Sequence, residues 1–559
     1  MREYHEDLHF KPGLTYPLRT TSDFSPRILP ADVMFSTGGH GIHFRDTNDA
    51  LVFLSLAYTR FVKVLVEVLF GSGDASVSGS AARNYTAGTM SQLPHPTVVD
   101  RPRYIERSIR LARLFRADHD FDETSRTFCA LPISARATSI KSDLSEAVAD
   151  RLTRLDEIAS LMQSLEGDLT NAFAVHGNVE DVLSSIYGAH PCSYSERDVA
   201  ADLPRLVELN VSDLMDAAAV ATGGRNRSIT KKSFFVDRQI DLCAHALQTH
   251  PRSICQTWMK LRIVPSAVAI DACNSLLSFA FGTLFGRWDC RVPSRYDRGI
   301  FTTDDPFASL PACPPAMLQG TDDLPTKETP PNYPLRIEWD GILVDDSGHP
   351  NDVVRRVRDF MEVFLKDRAD GIEKEVCEIL GIKDLREFFR KPGKGGFWDD
   401  HVSRYSKSRR KAPIYWLLQS SKKNYALWLY YHRLDKDLLF KALVNYVEPK
   451  IQREINRLDE MRKQKQSAGE SGKGAKKLDK DIERQEDLIS ELRDFEDKLR
   501  RAASLHLNPD LNDGVVLNIA PLHELVPWKE AKNYWEELFD GKYEWSSISN
   551  QLREKEIVK

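Results

Sequence analysis

Between His401 and Arg433 the chain carries eight lysines and arginines and no acidic side chain, with Tyr405, Tyr415, Trp416, Tyr425, Trp428, Tyr430 and Tyr431 set among them. Cations of this kind neutralise phosphates, and aromatic rings either stack on exposed bases or fill a core. Arg404, Lys407, Arg409, Arg410, Lys411, Lys422 and Lys423 are therefore candidate phosphate contacts, in a segment whose field no neighbouring acid cancels. Arg409-Arg410-Lys411 stand just before Pro413, whose fixed φ and missing N–H favour an extended approach to the next strand. The competing reading is a solvated basic edge on a small sheet, with its aromatics inside.

Other constellations carry less. Asp437 with Glu448-Pro449-Lys450 imitates the acidic pair and lysine of a magnesium-dependent nuclease, but the segment reads as helix and the spacing arises readily by chance. Asp345-Asp346 followed by His349 suggests a metal site, for which a polar turn is the simpler account. The eight cysteines form no CxxC pair and none stands beside a histidine at zinc-ligand spacing. They read as buried thiols of a reducing cytosol. No catalytic, cofactor-binding or metal-binding residue is expected on these grounds.

The elements that must position the basic segment follow from periodicity. At 559 residues the chain exceeds a single core, and three or four domains are expected. Its net charge of −5 argues against a uniformly basic DNA-coating protein without excluding a local patch. The N-terminus has no apolar run of a signal peptide, and Leu51–Phe70 is interrupted by Arg60, Lys63 and Glu67, so no membrane partner is expected and a cytoplasmic protein is. Thr20–Phe44 suits small antiparallel strands, and Leu51–Leu69 reads as one amphipathic helix. A glycine- and serine-rich loop spans Gly71–Ser80.

From Arg103 to about Phe285 the pattern is mainly helical, with one face of Ala147–Leu165 carrying Val148, Leu152, Leu155, Ile158 and Leu161. Lys260–Phe285 reads as a second, strongly apolar helix. Pro293–Pro334 is a proline-rich strap, and helices return from Asp352 to Phe389 with a break at Gly381. Pro413–Leu417 and Tyr425–Tyr431 read as strands. Ile451, Ile455, Leu458 and Met461, then Leu478, Ile482, Ile489, Leu492 and Leu499, predict an antiparallel helical hairpin, a short coiled coil whose polar tip, Ser467–Ala475, holds three glycines. Such a hairpin either docks a partner or packs on its own chain.

Several strings resemble those of the adenine-specific DNA methyltransferases of the BREX and DISARM phage-defence systems, and more distantly single-chain type II restriction-modification enzymes. Gly13–Thr20 with Phe24–Pro30 resembles the opening of their target-recognition domain, Tyr85–Pro96 the loop closing its first part, and Phe285-Gly286-Arg287-Trp288-Asp289 the end of a helix there. Arg409–Leu417 with Leu429–Arg433 is the clearest match, and Asp510–Val515 through Asn518, followed by Pro521-Leu522, resembles their C-terminal tail. The resemblance covers only the C-terminal half of such an enzyme.

It implies an α+β, multi-domain fold: a mixed, small-sheet target-recognition region, a helical middle region and the hairpin near the C-terminus. The expected parts are the first section of the target-recognition domain (1–100), its mainly helical remainder (101–292), the strap (293–345), a helical and basic-aromatic domain (346–440), the hairpin (441–504) and a tail domain (505–559). Base readout would fall to Arg19 and Arg27, the basic segment supplying phosphate contacts.

Amino-methyl transfer to a flipped base needs a glycine-rich turn for S-adenosylmethionine and an Asn-Pro-Pro-aromatic tetrapeptide to hold the exocyclic amine. Neither stands here. Thr329-Pro330-Pro331-Asn332, Cys313-Pro314-Pro315-Ala316 and Asn508-Pro509-Asp510 have the prolines in the wrong company. S-adenosylmethionine is thus expected in a catalytic partner or a missing N-terminal half, not in this chain. Double-stranded DNA and a methyltransferase subunit, or other defence proteins, are the expected partners. The alternative is a scaffold protein of a defence complex with little DNA binding.

Overall fold

The computed structural model describes residues 8–20, 24–36, 38–70, 83–93, 100–117, 120–131, 133, 138–172, 198–221, 236–291, 305–407, 410–468 and 473–558. Gly71–Ser80 lies outside them, as do residues 292–304 at the start of the strap and residues 469–472 in the hairpin tip. The chain divides into two compact units, one of residues 1–273 and 292–316, the other of residues 274–291 and 317–559. Every ladder between described strands is antiparallel, the sheets are small, and helices dominate both units.

In the first unit Gly13–Pro17 runs between Arg27–Leu29 and Gly39–Ile42. Alternation puts Leu14 and Tyr16 in the core, while Thr15 pairs with Arg27 on one side and Gly41 on the other. Only glycine fits at position 13, because a Cβ there would lie 2.5 Å from the Ile42 carbonyl oxygen. The core beneath is closed by helix Thr47–Ala57, buried from Ala50 to Ala57 and capped by Asp46, whose carboxylate accepts from the Asn48 N–H.

The single helix expected over Leu51–Leu69 is in fact two, Thr47–Ala57 and Arg60–Phe70. No glycine or proline marks the break. Buried Thr59 donates its hydroxyl to the Leu56 carbonyl, and Glu166, from a helix far along the chain, accepts from both the Arg60 backbone N–H (2.8 Å) and its guanidinium (3.0 Å). A distant carboxylate thus satisfies the second helix's start.

Helix Ile140–Ala172 buries Val148 and Ile158 of the expected face but leaves Leu152, Leu155 and Leu161 half-buried, its core side being completed instead by Met162, Leu165 and Leu169; Arg151 and Arg154 pair with Asp237 at 3.3 and 2.7 Å. The expected helix over Lys260–Phe285 also needs correction. Pro251–Leu261 ends with Arg262 in the left-handed region (φ 51°), and a new helix, Ser266–Leu284, starts after Pro265. Proline has no N–H to continue the ladder and pushes the residue before it out of helical geometry. Ser266–Leu284 is the one described helix long and apolar enough to cross a membrane, and 83% of its apolar window is buried within the protein.

The second unit is built on Ile342–Val344, Ala426–Tyr430 and Tyr415–Gln419, with Trp428 facing Leu343 and Leu417 across the ladder. All three strands are wholly buried. Phe281 packs its ring against Phe397 (4.7 Å between centroids), Tyr415 (5.2 Å) and Trp428 (5.2 Å). Helices Val353–Leu365, Ala369–Leu380 and Leu385–Arg390 lie between the first and second of these strands in the sequence, the middle one ending at Gly381 with φ 64° as the sequence indicates.

Near the C-terminus a π-helical turn, Leu443–Val447, precedes Glu448–Ala468, because Pro449 cannot donate to the preceding turn. Lys473–Ser504 returns beside it. Ion pairs in reversed order along the two, Arg500–Glu448 (2.9 Å), Arg462–Glu486 (2.7 Å) and Lys465–Asp479 (2.5 Å), show that they run antiparallel. A last small core gathers Leu517, Ala520, Leu538, Ile548 and Leu552.

The packing at Gly282 is tight enough to test. A Cβ there would sit 2.3 Å from Trp288 Cδ1 and 2.6 Å from the Tyr415 hydroxyl, whereas Gly371 has nothing within 4 Å. Gly282→Ala should lower the unfolding free energy by about 1–3 kcal/mol through overpacking. Gly371→Ala, in helix Ala369–Leu380, should be neutral or gain up to about 1 kcal/mol. Urea titrations of both variants decide it; equal midpoints would contradict the packing account.

Candidate nucleic-acid interface

The first unit presents Arg27 and Arg19 to solvent. Arg27 opens an edge strand opposite Thr15, on the face of the sheet away from Leu14 and Tyr16, and Arg19 follows on a two-residue strand paired with Arg83–Asn84. Neither makes an ion pair among the described residues. Burial pushes the Tyr58 phenol up, and the charge of Arg27 partly offsets this, which places the two within electrostatic reach.

The basic segment is dispersed by the fold. Arg404, on helix Phe397–Arg404, is 5% exposed; its Nε meets Asp400 at 3.2 Å and its Nη1 donates to Ser275 Oγ at 3.1 Å. It faces the interior and is no phosphate contact. Lys411 pairs with Glu530, and Lys422 with Asp487 at 3.1 Å. Lys423 is exposed at the tip of the turn between Tyr415–Gln419 and Ala426–Tyr430, with φ 65°. Ser406–Lys407 and Arg410–Lys411 form a two-stranded ladder; Arg409 and the side chains of Lys407 and Arg410 lie outside the described residues.

The expectation of an uncancelled field therefore fails for Arg404, Lys411 and Lys422. Their acids, Asp400, Glu530 and Asp487, all stand outside the segment that composition surveyed.

The aromatics are core. Tyr415, Trp416, Tyr425 and Trp428 are each at most 1% exposed, and Tyr430 and Tyr431 are buried too, so none offers a ring to a base. Tyr405 lies against His401, whose Nε2 accepts from the backbone N–H groups of Ile414 (2.9 Å) and Tyr415 (3.0 Å). Burial, with Arg287 and Arg404 close by, holds His401 far below the usual imidazole range, so it stays neutral and fixes the start of the strand.

Glu491, which holds the turn of this region in place, was not singled out by sequence, and Asp345 and Asp346 were singled out in another role. Glu491, 4% exposed on helix Lys473–Ser504, accepts from Ser420 Oγ (2.6 Å), the Lys422 N–H (2.8 Å) and Asn424 Nδ2 (2.7 Å). It closes the turn that carries Lys423. Asp345 and Asp346 are not a polar surface turn but a buried ionic cluster. Asp345 is met by Arg386 and Arg390, Asp352 by Arg386 at 2.8 Å, and Asp346 by Lys450 (2.7 Å) and Arg453 (2.5 Å).

The nuclease-like set dissolves in the same way, since Lys450 serves Asp346 and Glu454 while Glu448 pairs with Arg500. Among the described residues no group of three or more His, Cys, Asp or Glu side chains could hold a metal. Six of the seven described cysteines are buried, and burial pushes the thiols of Cys243 and Cys255 up to about 12, so these two are poor nucleophiles.

No protein-family model matches the chain. It is 23% identical over 539 residues to the adenine-specific methyltransferase BrxX of Escherichia coli O9:H4 (strain HS), an alignment spanning 93% of this chain and 36% of that protein. It is 26% identical over 192 residues to the adenine-specific methyltransferase PglX of Lacticaseibacillus casei (strain Zhang), covering 32% of this chain and 15% of that one. The chain thus spans about a third or less of the length of the curated relatives it matches. It is similar to part of adenine-specific methyltransferases.

Because Arg404 is a buried partner of Asp400, Arg404→Met should lower the unfolding free energy by about 3 kcal/mol, the scale for orphaning a buried charge. The urea midpoint should fall with an unchanged slope. An unaltered midpoint would return Arg404 to the surface set.

Proposed function

We propose that this chain supplies DNA sequence recognition to a site-specific adenine-N6 methyltransferase of a phage-defence system, as the counterpart of its target-recognition and C-terminal regions. The observation that carries the proposal is the likeness along 93% of the chain to only 36% of an adenine-specific methyltransferase, in a chain with neither a cofactor loop nor a base-holding tetrapeptide.

The geometry supports the second half of that statement. A cofactor loop places glycines between a strand and the start of a helix, so that backbone N–H groups face the ligand. Here Gly39 and Gly41 lie within an edge strand, the space at Gly41 is filled by His43 and Phe35, and the next helix is capped by its own Asp46. These residues do not fit S-adenosylmethionine, and no catalytic step is assigned to them. The methyltransferase part, in a partner chain or another segment, would hold the cofactor and the flipped adenine in the cytoplasm, where the DNA is.

Within this reading Arg19 and Arg27 are the base readers and Lys423 a phosphate contact, joined by Lys407, Arg409 and Arg410. A single arginine bonding a guanine edge through two N–H groups discriminates by about 1–3 kcal/mol, while phosphate contacts position without reading.

Anisotropy with labelled duplexes, in the presence of the methyltransferase part, tests the assignment. Arg27→Ala should weaken the preferred duplex by about 1–3 kcal/mol more than random DNA; an equal loss on both would make Arg27 a backbone contact. Calorimetric titration of the chain alone with S-adenosylmethionine should give no binding heat, and stoichiometric micromolar binding would overturn the division of labour.

A further inference from the structure

Two strings singled out in the sequence, Phe285-Gly286-Arg287-Trp288-Asp289 and Leu429-Tyr430-Tyr431-His432-Arg433, have no part in the role proposed above, and the fold brings them together. The first leaves helix Ser266–Leu284, and the second ends strand Ala426–Tyr430 in the single turn Tyr431–Arg433. The Phe285 ring stacks on that of Tyr430 with 5.5 Å between centroids.

Two glycines permit the close approach. Gly286 has φ 70°, and a Cβ on it would stand 3.0 Å from Trp339 Cη2. Gly341 has φ 72°, and a Cβ there would stand 2.7 Å from Arg433 Cβ. Trp339, whose Nε1 donates to Thr329 Oγ1 at 2.8 Å, thus touches both strings, with the Arg433 guanidinium 4.5 Å from its ring centre. Stacking holds a guanidinium by its face and leaves its N–H edge for other partners.

That edge is little used. Half-buried Arg433 meets the Trp339 ring and, at 3.5 Å, the Thr326 carbonyl, and no carboxylate pairs with it among the described residues. His432 keeps a solvent-facing edge, lies against the Tyr430 and Tyr431 rings, and has no hydrogen bond on its ring nitrogens among the described residues. Arg287 is held in place, its Nη1 donating to the Tyr405 hydroxyl at 2.5 Å and its guanidinium 4.2 Å from the Trp288 ring centre.

The acids close by in sequence are engaged: Asp289 with Arg291 (2.7 Å), Asp340 with the Tyr446 hydroxyl, and Asp435 with Lys441 (2.9 Å). The segment passing Arg433 carries Asp322, Asp323 and Glu328 beside Lys327, yet it meets Arg433 through the Thr326 carbonyl. Burial, with the charges of Arg287 and Arg433, holds His432 down to about 4, and no carboxylate offsets them there. The same two charges act on the buried Tyr430 phenol. A half-buried guanidinium without a carboxylate, beside an imidazole kept neutral by cations, is a place that an anion stabilises.

We infer that His432 and Arg433, with Arg287 close by, seat one backbone phosphate of double-stranded DNA, a contact outside the candidate set drawn from the basic segment. Arginine meets a phosphate through two N–H groups and an imidazolium adds a third, so His432 takes up a proton as the anion arrives. That the phosphate belongs to DNA rests on the recognition role proposed above; the seat itself requires only the phosphate group.

The full chain with labelled histidine rings is titrated by NMR, the His432 signal being assigned with His432→Gln. In chloride its midpoint should lie near about 4. In inorganic phosphate of equal ionic strength it should rise by about one pH unit or more, because a bound anion favours the imidazolium. Arg433→Gln, with circular dichroism confirming the fold, should abolish that rise, and Arg433→Lys, which keeps the charge without the fork, should reduce it. Anisotropy from low to high salt then compares the parent with a variant carrying both His432→Gln and Arg433→Gln. The slope of log K against log salt should flatten by about 0.9, the share of one phosphate, alike on preferred and random duplexes. Equal midpoints in chloride and phosphate mean that there is no seat, and the inference fails while the recognition role stands. A phosphate-dependent midpoint with an unchanged DNA slope assigns the seat to a free phosphate or nucleotide and overturns the DNA contact. A parent without salt-dependent DNA binding, whose His432 still answers to phosphate, contradicts the recognition role and the DNA contact together and leaves the phosphate seat.

Discussion

Asp345, Asp346 and Asp352 stand almost wholly out of water within one short stretch, and a carboxylate placed so survives only where a cation and hydrogen bonds meet it. The cations come from far along the chain: Arg386 and Arg390 from one helix, Lys450 and Arg453 from the root of the helical pair. Neutralising these three acids therefore fixes the end of strand Ile342–Val344, helix Leu385–Arg390 and helix Glu448–Ala468 with respect to one another. The turn carrying Lys423 depends on it too, since Glu491 reaches that turn from the helix paired with Glu448–Ala468. Removing one member leaves the others charged and unsatisfied, so the cluster ties these elements together as a group.

How much of this was legible in the sequence depended on whether the deciding partner was near. The face expected along Ile140–Ala172 is buried at Val148 and Ile158 and only half-buried at Leu152, Leu155 and Leu161, whereas the strands at Tyr415–Gln419 and Ala426–Tyr430 and the stop at Gly381 follow from local pattern. The break after Tyr58 did not, because the group that caps the second helix is Glu166. The basic segment was misjudged for the same reason. Counting charge from His401 to Arg433 found no acids, yet Asp400, Asp487 and Glu530 neutralise three of its cations from outside the window. Charge cancels in space, not in sequence, and only the fold says which cations remain.

Of the cations singled out for DNA contact, Arg19 and Arg27 face solvent on the first unit and Lys423 tips a turn on the second. The chain is similar to about a third of an adenine-specific methyltransferase, and under the proposed function it would find the site for another part to modify. Such a split would separate two physical demands: reading base edges needs exposed donors, whereas holding a flipped base needs a closed, preorganised pocket.

Sequence selection is the most direct test of that account. The full chain, together with the methyltransferase part, would be incubated with a pool of random duplexes at moderate salt, and retained DNA sequenced over successive rounds. The account predicts enrichment of a single short motif, unchanged when the methyltransferase part is replaced by a catalytically dead version and lost when this chain is left out. Retention without a motif, or a motif that survives without this chain, would contradict it.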